Sequence, residues 1–314
     1  MDTAREQPYS SRTRTHTVLG GDAFTDLYRA GFGLKNFWNL TDPEYCVSVM
    51  EGAYLGGCRS FEISFDYAAE MLERLECRVG QQLTGIANPS HLQGTMFRGR
   101  SIQYARQRIL KTLAEGDYLP ETARTEMRGR LRESHYLFFG YERDAEPLSD
   151  KEIAEFRLDE DAYRKRLKEL GACPDVLVGA TDADWLFSLG REDIIARMCE
   201  IVRSLGKTPY LDCHYVTAVL PKAMDMKLDV AGYYIAMSRS GGWFDHDEAE
   251  RIVRGADRPV YAFMAFDGAR GDEERRLAAS YLKETCGIAG IMYGTTDRLH
   301  AEKTAEMLTG MFDS

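Results

Sequence analysis

Two residues apart in TPYLDCHY, Asp212 and His214 combine a carboxylate with an imidazole. In an extended segment both side chains stand on one face, so they can orient each other or bind a divalent metal. Glu62 can join them from another strand, but so few ligands make a weak metal site, and none is assigned. A buried histidine satisfied by its neighbours is the alternative reading. Residues 59–75, RSFEISFDYAAEMLERL, hold the second concentration of chemical groups. The run begins apolar with Glu62 and Ser64 interleaved at period two; from Tyr67 onward Ala68, Met71, Leu72 and Leu75 fall on one helical face. A strand that passes straight into a helix sets Glu62, Asp66 and Tyr67 at its carboxyl end, where α/β proteins place their chemistry. A solvated exit turn would have the same composition.

Such groups need a sheet to position them, and the chain repeats the required unit. Residues 15–21 (THTVLGG) read as a first strand ending in a double glycine. Asp42, Pro43 and Glu44 announce a helix that runs to about residue 55 and stops at Gly56-Gly57. Further strands are expected at 61–65, 81–87, 134–141 (SHYLFFGY), 176–181, 208–215, 230–238, 259–266 and 288–293. Helices at 191–205, 218–227, 247–254, 272–285 and 297–308 separate the later ones. Residues 90–172 differ: they are charged and mostly helical in pattern, with 102–113 and 151–170 the clearest helices.

Repeated strand-helix units predict a parallel sheet covered by helices. Of nine candidate strands, eight remain if the first forms a hairpin or a bottom plug, and eight close a (β/α)8 TIM barrel. An open doubly wound sheet would want a Gly-rich nucleotide turn near its start, and GGDAF is not GxGxxG. The expectation is one α/β barrel domain over 1–314, with 90–172 partly a helical elaboration.

Net charge is −10 and the pI about 5.3, which argues against nucleic acid or anionic membrane as the main partner. Basic residues cluster at Arg98, Arg100, Arg106 and Arg108 and again at Arg124, Arg128, Arg130 and Arg132, on what reads as a solvated helical face. Seven scattered cysteines without a CxxC pair suit neither a disulfide framework nor a zinc knuckle. The polar N-terminus lacks an apolar signal core and no run has the length of a membrane span, so a reduced cytoplasmic setting is the default.

The layout resembles the aldo/keto reductase superfamily. FEISFDYA stands where that family has a phrase like FDTAxxYG, VLVGATDADWL resembles its GVSN segment, and LDCHY its NQxxY segment. IAMSRSGG resembles its AYSPLGxG turn, and CGIAGIMYGTTDRLHAEKTAEML its last strand, loop and helix. The resemblance implies that Thr181 and Asp182 touch a nicotinamide amide, that Tyr215 stacks on its ring, and that Gly241, Gly294, Thr295 and Arg298 line an NADPH site, while Ser238, kept from the family's turn, is a substrate-binding candidate. It also implies a catalytic tetrad in which a tyrosine delivers a proton, helped by Asp, Lys and His. Here Tyr67 falls at the tyrosine position and Glu62 at the aspartate position, but Gly85 falls at the lysine position and Gly140 at the histidine position. A tyrosine titrates near 10 and needs a nearby cation to act near neutrality. The asparagine expected to hold the adenine falls on Thr304, while Arg298 or Lys303 can meet a 2′-phosphate.

If the barrel forms, its strand ends also present Asp22, Asn88, His91, Asp182, Arg239 and Asp267. Carboxylates around one mouth raise each other's pKa, which makes acid and base pairs available near neutral pH. His91 can replace the missing imidazole or cap a turn. Ser238-Arg239-Ser240-Gly241-Gly242 can cradle a phosphate or carboxylate, or form an ordinary turn. The expected function is non-redox acid/base chemistry on a small organic substrate (lyase, dehydratase, isomerase or cyclase), with Glu62, Tyr67, Asp212 and His214 catalytic. An NADPH-dependent carbonyl reductase, an oxidoreductase with a modified tetrad, is the first alternative. A non-catalytic binding or scaffold barrel is the second. The charged 98–170 segment is the place for an oligomer contact or a lid.

Overall fold

Along each central strand, one set of alternate residues packs outward against helices and the other fills the space between strands. The computed structural model describes residues 17–19, 42–63, 66–89, 94–133, 146–240 and 245–312. In chain order β1 (Thr17–Leu19) precedes α1 (Pro43–Leu55), β2 (Ser60–Ile63), α2 (Asp66–Val79) and β3 (Thr84–Ala87). An insertion follows, with α3 (Arg106–Glu115), α4 (Glu121–Glu133), α5 (Asp150–Ile153) and α6 (Glu160–Glu169). Then come β4 (Asp175–Gly179), α7 (Thr181–Ser188), α8 (Glu192–Ser204), β5 (Thr208–Cys213), α9 (Val216–Asp225) and β6 (Tyr233–Ala236). The chain continues with α10 (His246–Arg254), β7 (Val260–Phe263), α11 (Gly271–Ser280), β8 (Gly290–Tyr293) and α12 (Arg298–Phe312).

Among the described residues these eight parallel strands close into a barrel in the order β1-β8-β7-β6-β5-β4-β3-β2. β1 completes it, pairing Val18 with Met292 of β8 on one side and with Ser60 of β2 on the other. The first strand is therefore a stave, not a hairpin or plug. SHYLFFGY lies outside the described residues.

Local chemistry explains the helices that cover the barrel. Asp42 caps α1, its Oδ1 accepting the Glu44 and Tyr45 N–H groups at 3.0 and 3.3 Å, and the helix stops at Gly56-Gly57 as the sequence leads one to expect. α8 buries Ile194, Ile195, Met198, Cys199, Ile201 and Val202 on one face, with Glu192 and Asp193 at its positive end. Outward-facing Val176, Val178, Leu211, Cys213, Tyr233, Ile235, Ile291 and Tyr293 join these in the main core. Inside the barrel lies a separate cluster of Ile86, Leu177, Tyr210, Tyr234 and Met292. Tyr234 and Tyr261 stack there at 4.8 Å, and Tyr210 meets both edge-on.

The insertion is less helical than its composition leads one to expect. A three-stranded antiparallel sheet of Thr95–Phe97, Arg100–Ser101 and Arg157–Leu158 sits among its helices. The helix expected over 151–170 breaks after α5. Phe156 is buried edge-on against Phe97, Arg157–Leu158 pairs with Thr95 and Met96, and Asp159 caps a new helix, α6. Four of the clustered arginines, Arg98, Arg108, Arg124 and Arg128, are engaged within the insertion. Arg98 and Arg108 converge on Glu152, whose carboxyl the Arg108 hydrogen bonds hold down at about 2, and Arg124 and Arg128 share Glu121. No helix among the described residues is long and apolar enough to cross a membrane.

Candidate functional site

The same alternation that builds the barrel decides which polar groups face its interior. In β2, Phe61 and Ile63 belong to the outer core, so Ser60 and Glu62 face inward. In β3, Ile86 is inward and Ala87 outward, which turns Asn88 inward just beyond the strand. In β5, Tyr210 is inward and Leu211 and Cys213 outward, so Asp212 faces the lumen, with His214 next in phase. Ser238 follows Tyr234 on β6 in the same phase, and Gly294 follows Met292 on β8.

Glu62 is buried, and its Oε1 accepts a hydrogen bond from Asn88 Nδ2. This corrects the register drawn from the sequence. Gly85 is not at the lysine position: a Cβ on it would point outward, 2.7 Å from Cys173 Sγ and 3.2 Å from a Leu72 methyl. The inward group at that strand end is Asn88, a neutral amide, which supplies a hydrogen bond but no positive charge. Tyr67 lies in the first turn of α2, and its side chain is outside the described residues. Asp22, His91, Gly140 and Gly241 are outside them as well.

His214 has a different carboxylate partner from the one its spacing suggests. Its Nδ1 is 2.9 Å from Asp184 Oδ2, while Asp184 Oδ1 accepts the N–H groups of His214 and Tyr215 at 2.7 and 2.8 Å. Asp184 is 1% exposed and His214 26%. Phe263 meets the imidazole edge-on with centroids 5.1 Å apart. Asp184 reaches this position because β4 ends in a tight, strained turn: Gly179 at φ +110° and Ala180 at φ +47°. The turn starts α7 directly at Thr181, where the expected strand was to continue. The local signal for Asp184 is the acidic first turn in TDADW, which marks a helix start.

Asp182, on the same turn of α7, is buried beneath the insertion. Gln103 Nε2 donates to its Oδ1 at 2.6 Å, and the Thr95 hydroxyl lies beside it. Burial pushes its carboxyl up to about 7; Thr95 and Gln103 pull it back, and the Asp184 charge adds to the rise. Tyr215 is buried with its hydroxyl 3.9 Å from Met127 Sδ of α4. Ser238 Oγ lies 3.2 Å from Ser240 Oγ, and Ser240 donates to the Asp267 carbonyl at 2.8 Å; Arg239 between them is exposed.

The last loop fits an NADPH phosphate poorly. Thr295 Oγ1 is 3.1 Å from His300 Nδ1 and accepts the Asp297 N–H at 3.2 Å. Asp297 itself accepts the His300 N–H at 2.7 Å, which places a carboxylate at the α12 N-terminus where an incoming anion would bind. Arg298 is paired with Glu51 at 3.3 Å, and Thr304 is buried in α12. Thr181 and Gly294 are partly exposed at the ends of β4 and β8.

No family model matches the chain, and no curated protein matches it in sequence. In structure it is similar to two solved structures of aldo-keto reductase from Pseudomonas aeruginosa. These share 11% and 12% identity over 94% of this chain and 89% of theirs, with TM-scores of 0.51 and 0.52. An aldo/keto reductase from Brucella melitensis matches at 11% identity over 84% of this chain and 83% of its own, with a TM-score of 0.48. The likeness shows the fold: this chain has the (β/α)8 barrel of those structures, and at the level of fold the resemblance read from the sequence holds.

Proposed function

We propose that this barrel is an enzyme of non-redox acid/base chemistry, of lyase or isomerase type, acting on a small organic substrate. The observation that carries the reading is the replacement at the rim: Glu62 is met by the neutral amide of Asn88. The resemblance gives Tyr67 its proton-donating role only with a cation to lower its pKa, and a neutral amide at the end of β3 does not supply one. Glu62 and His214, on β2 and just past β5, are the groups suited to move protons, and Asp212 adds negative charge to the lumen. The His214 imidazole takes a proton from substrate and the Glu62 carboxyl exchanges the second. Ser238, on the rim, contributes hydrogen bonds to bound substrate, and the 98–170 insertion covers the mouth or meets a second copy.

The test has two parts. Purified protein is titrated with NADPH, and separately incubated in deuterium oxide with a panel of short-chain hydroxy-aldehydes and hydroxy-ketones whose C–H signals are followed by proton NMR. The expected result is C–H exchange or product formation without nicotinamide, lost by about 100-fold or more in Glu62→Gln and His214→Ala while both variants stay folded. NADPH oxidation coupled to carbonyl reduction would overturn the reading in favour of the reductase. Exchange that both variants retain would show that the site lies elsewhere.

A further inference from the structure

We infer that Asp184 is the positioning residue of this site, fixing His214 in the tautomer whose Nε2 accepts a proton. The inference rests on the reading of His214 given above. A carboxylate only accepts hydrogen bonds, so the imidazole nitrogen 2.9 Å from Asp184 Oδ2 must carry the hydrogen. In the neutral ring the lone pair then resides on Nε2. The other oxygen, Oδ1, holds the backbone N–H of the same histidine at 2.7 Å and of Tyr215 at 2.8 Å. One carboxylate thus fixes both the backbone and the ring of His214, while Phe263 closes the ring from its edge. When Nε2 takes a proton the ring becomes an imidazolium, and the carboxylate at Nδ1 offsets the new charge.

A purely structural role would look different in one respect. Asp184 also caps α9, whose own N-cap residue, Tyr215, makes no side-chain capping bond. That duty needs only Oδ1. Asp184→Asn separates the two roles: the amide oxygen keeps both backbone N–H bonds, while the amide nitrogen presents hydrogens to Nδ1 and forces the hydrogen of the ring onto Nε2.

Long-range nitrogen-15 NMR of the histidines, with His214 assigned by its loss in His214→Ala, reads the tautomer directly. The expected pattern is Nδ1–H in the wild type and Nε2–H in Asp184→Asn. Diethyl pyrocarbonate acylates the unprotonated nitrogen, and mass spectrometry locates the product. Modification of His214 is expected to slow by at least about 10-fold in Asp184→Asn, with the Asp182→Asn variant unchanged. A wild-type ring in the Nε2–H form overturns the inference, and so does equal acylation of wild type and Asp184→Asn. Should Asp184→Asn not fold, the wild-type spectrum alone decides. The two readings fail separately: Asp184-dependent acylation together with substrate exchange indifferent to His214→Ala would leave the clamp standing and remove His214 from the reaction.

Discussion

Two aspartates separated by one residue on α7 meet opposite fates. Asp184 is surrounded by donors and holds a histidine; Asp182 is buried with the Gln103 amide and the Thr95 hydroxyl, and its carboxyl is pushed up to about 7. An acid whose pKa is raised on folding stabilises the folded state fully below its unfolded value, near 4, and loses that contribution as pH rises through about 7. Wild-type stability is therefore expected to decline between pH 4 and 8 through this group, by on the order of 4 kcal/mol at most. Asp182→Asn keeps an acceptor for Gln103 and removes the titration. Urea denaturation across that range should show a flatter pH profile and a more stable protein at pH 8; a profile parallel to wild type would refute the assignment. At this scale the sequence was half legible. Glu62 and His214 could be picked out by type and phase along a strand. The partner of His214 could not, because Asp184 lies 30 residues back and reaches it only through a turn at positive φ.

Elements were easier to read than partners. Alternation and amphipathic period are local signals, so most strands and covering helices fall where the sequence places them. The misses share a cause: the break between α5 and α6 depends on Phe156 packing against Phe97, about sixty residues away, and the inward place of Asn88 depends on a register that local sequence leaves open. The β4–α7 turn is the element on which the site hinges. At Gly179, with φ +110°, a Cβ would stand 2.4 Å from the Ala183 Cβ and 3.1 Å from the Asp212 carbonyl oxygen. Gly179→Ala is expected to cost about 2–4 kcal/mol, combining backbone strain with overpacking. It should also displace Asp184, so the His214 tautomer signal is expected to lose its wild-type pattern. Chemical denaturation and the same nitrogen-15 spectrum check both; an unchanged spectrum in a folded variant would mean that the turn does not set the clamp.

Closure is the property that belongs to the whole molecule. The barrel's ends meet where β1 joins β8, and the helices that follow those two strands, α1 and α12, cover the seam. They lie close because Gly52 and Gly56 offer no side chain on the contact face. A Cβ on Gly52 would meet the Arg298 carbonyl oxygen at 2.3 Å, and one on Gly56 the Glu302 carbonyl oxygen at 2.1 Å. Backbone cannot yield as a side-chain tip can, so the helices must separate. Gly56→Ala is expected to destabilise the protein by about 2–4 kcal/mol, a fall in Tm on the order of 3–6 °C for a chain of this size. Gly56 ends α1 at φ −74°, a backbone conformation alanine adopts without strain, so a loss measures the packing directly. The seam is built from elements other than β4, α7 and β5, which hold the histidine clamp, so the His214 spectrum of folded Gly56→Ala should match wild type. A variant as stable as wild type would show that the two helices can part without cost, and that closure is carried by the strand pairing of β1 alone.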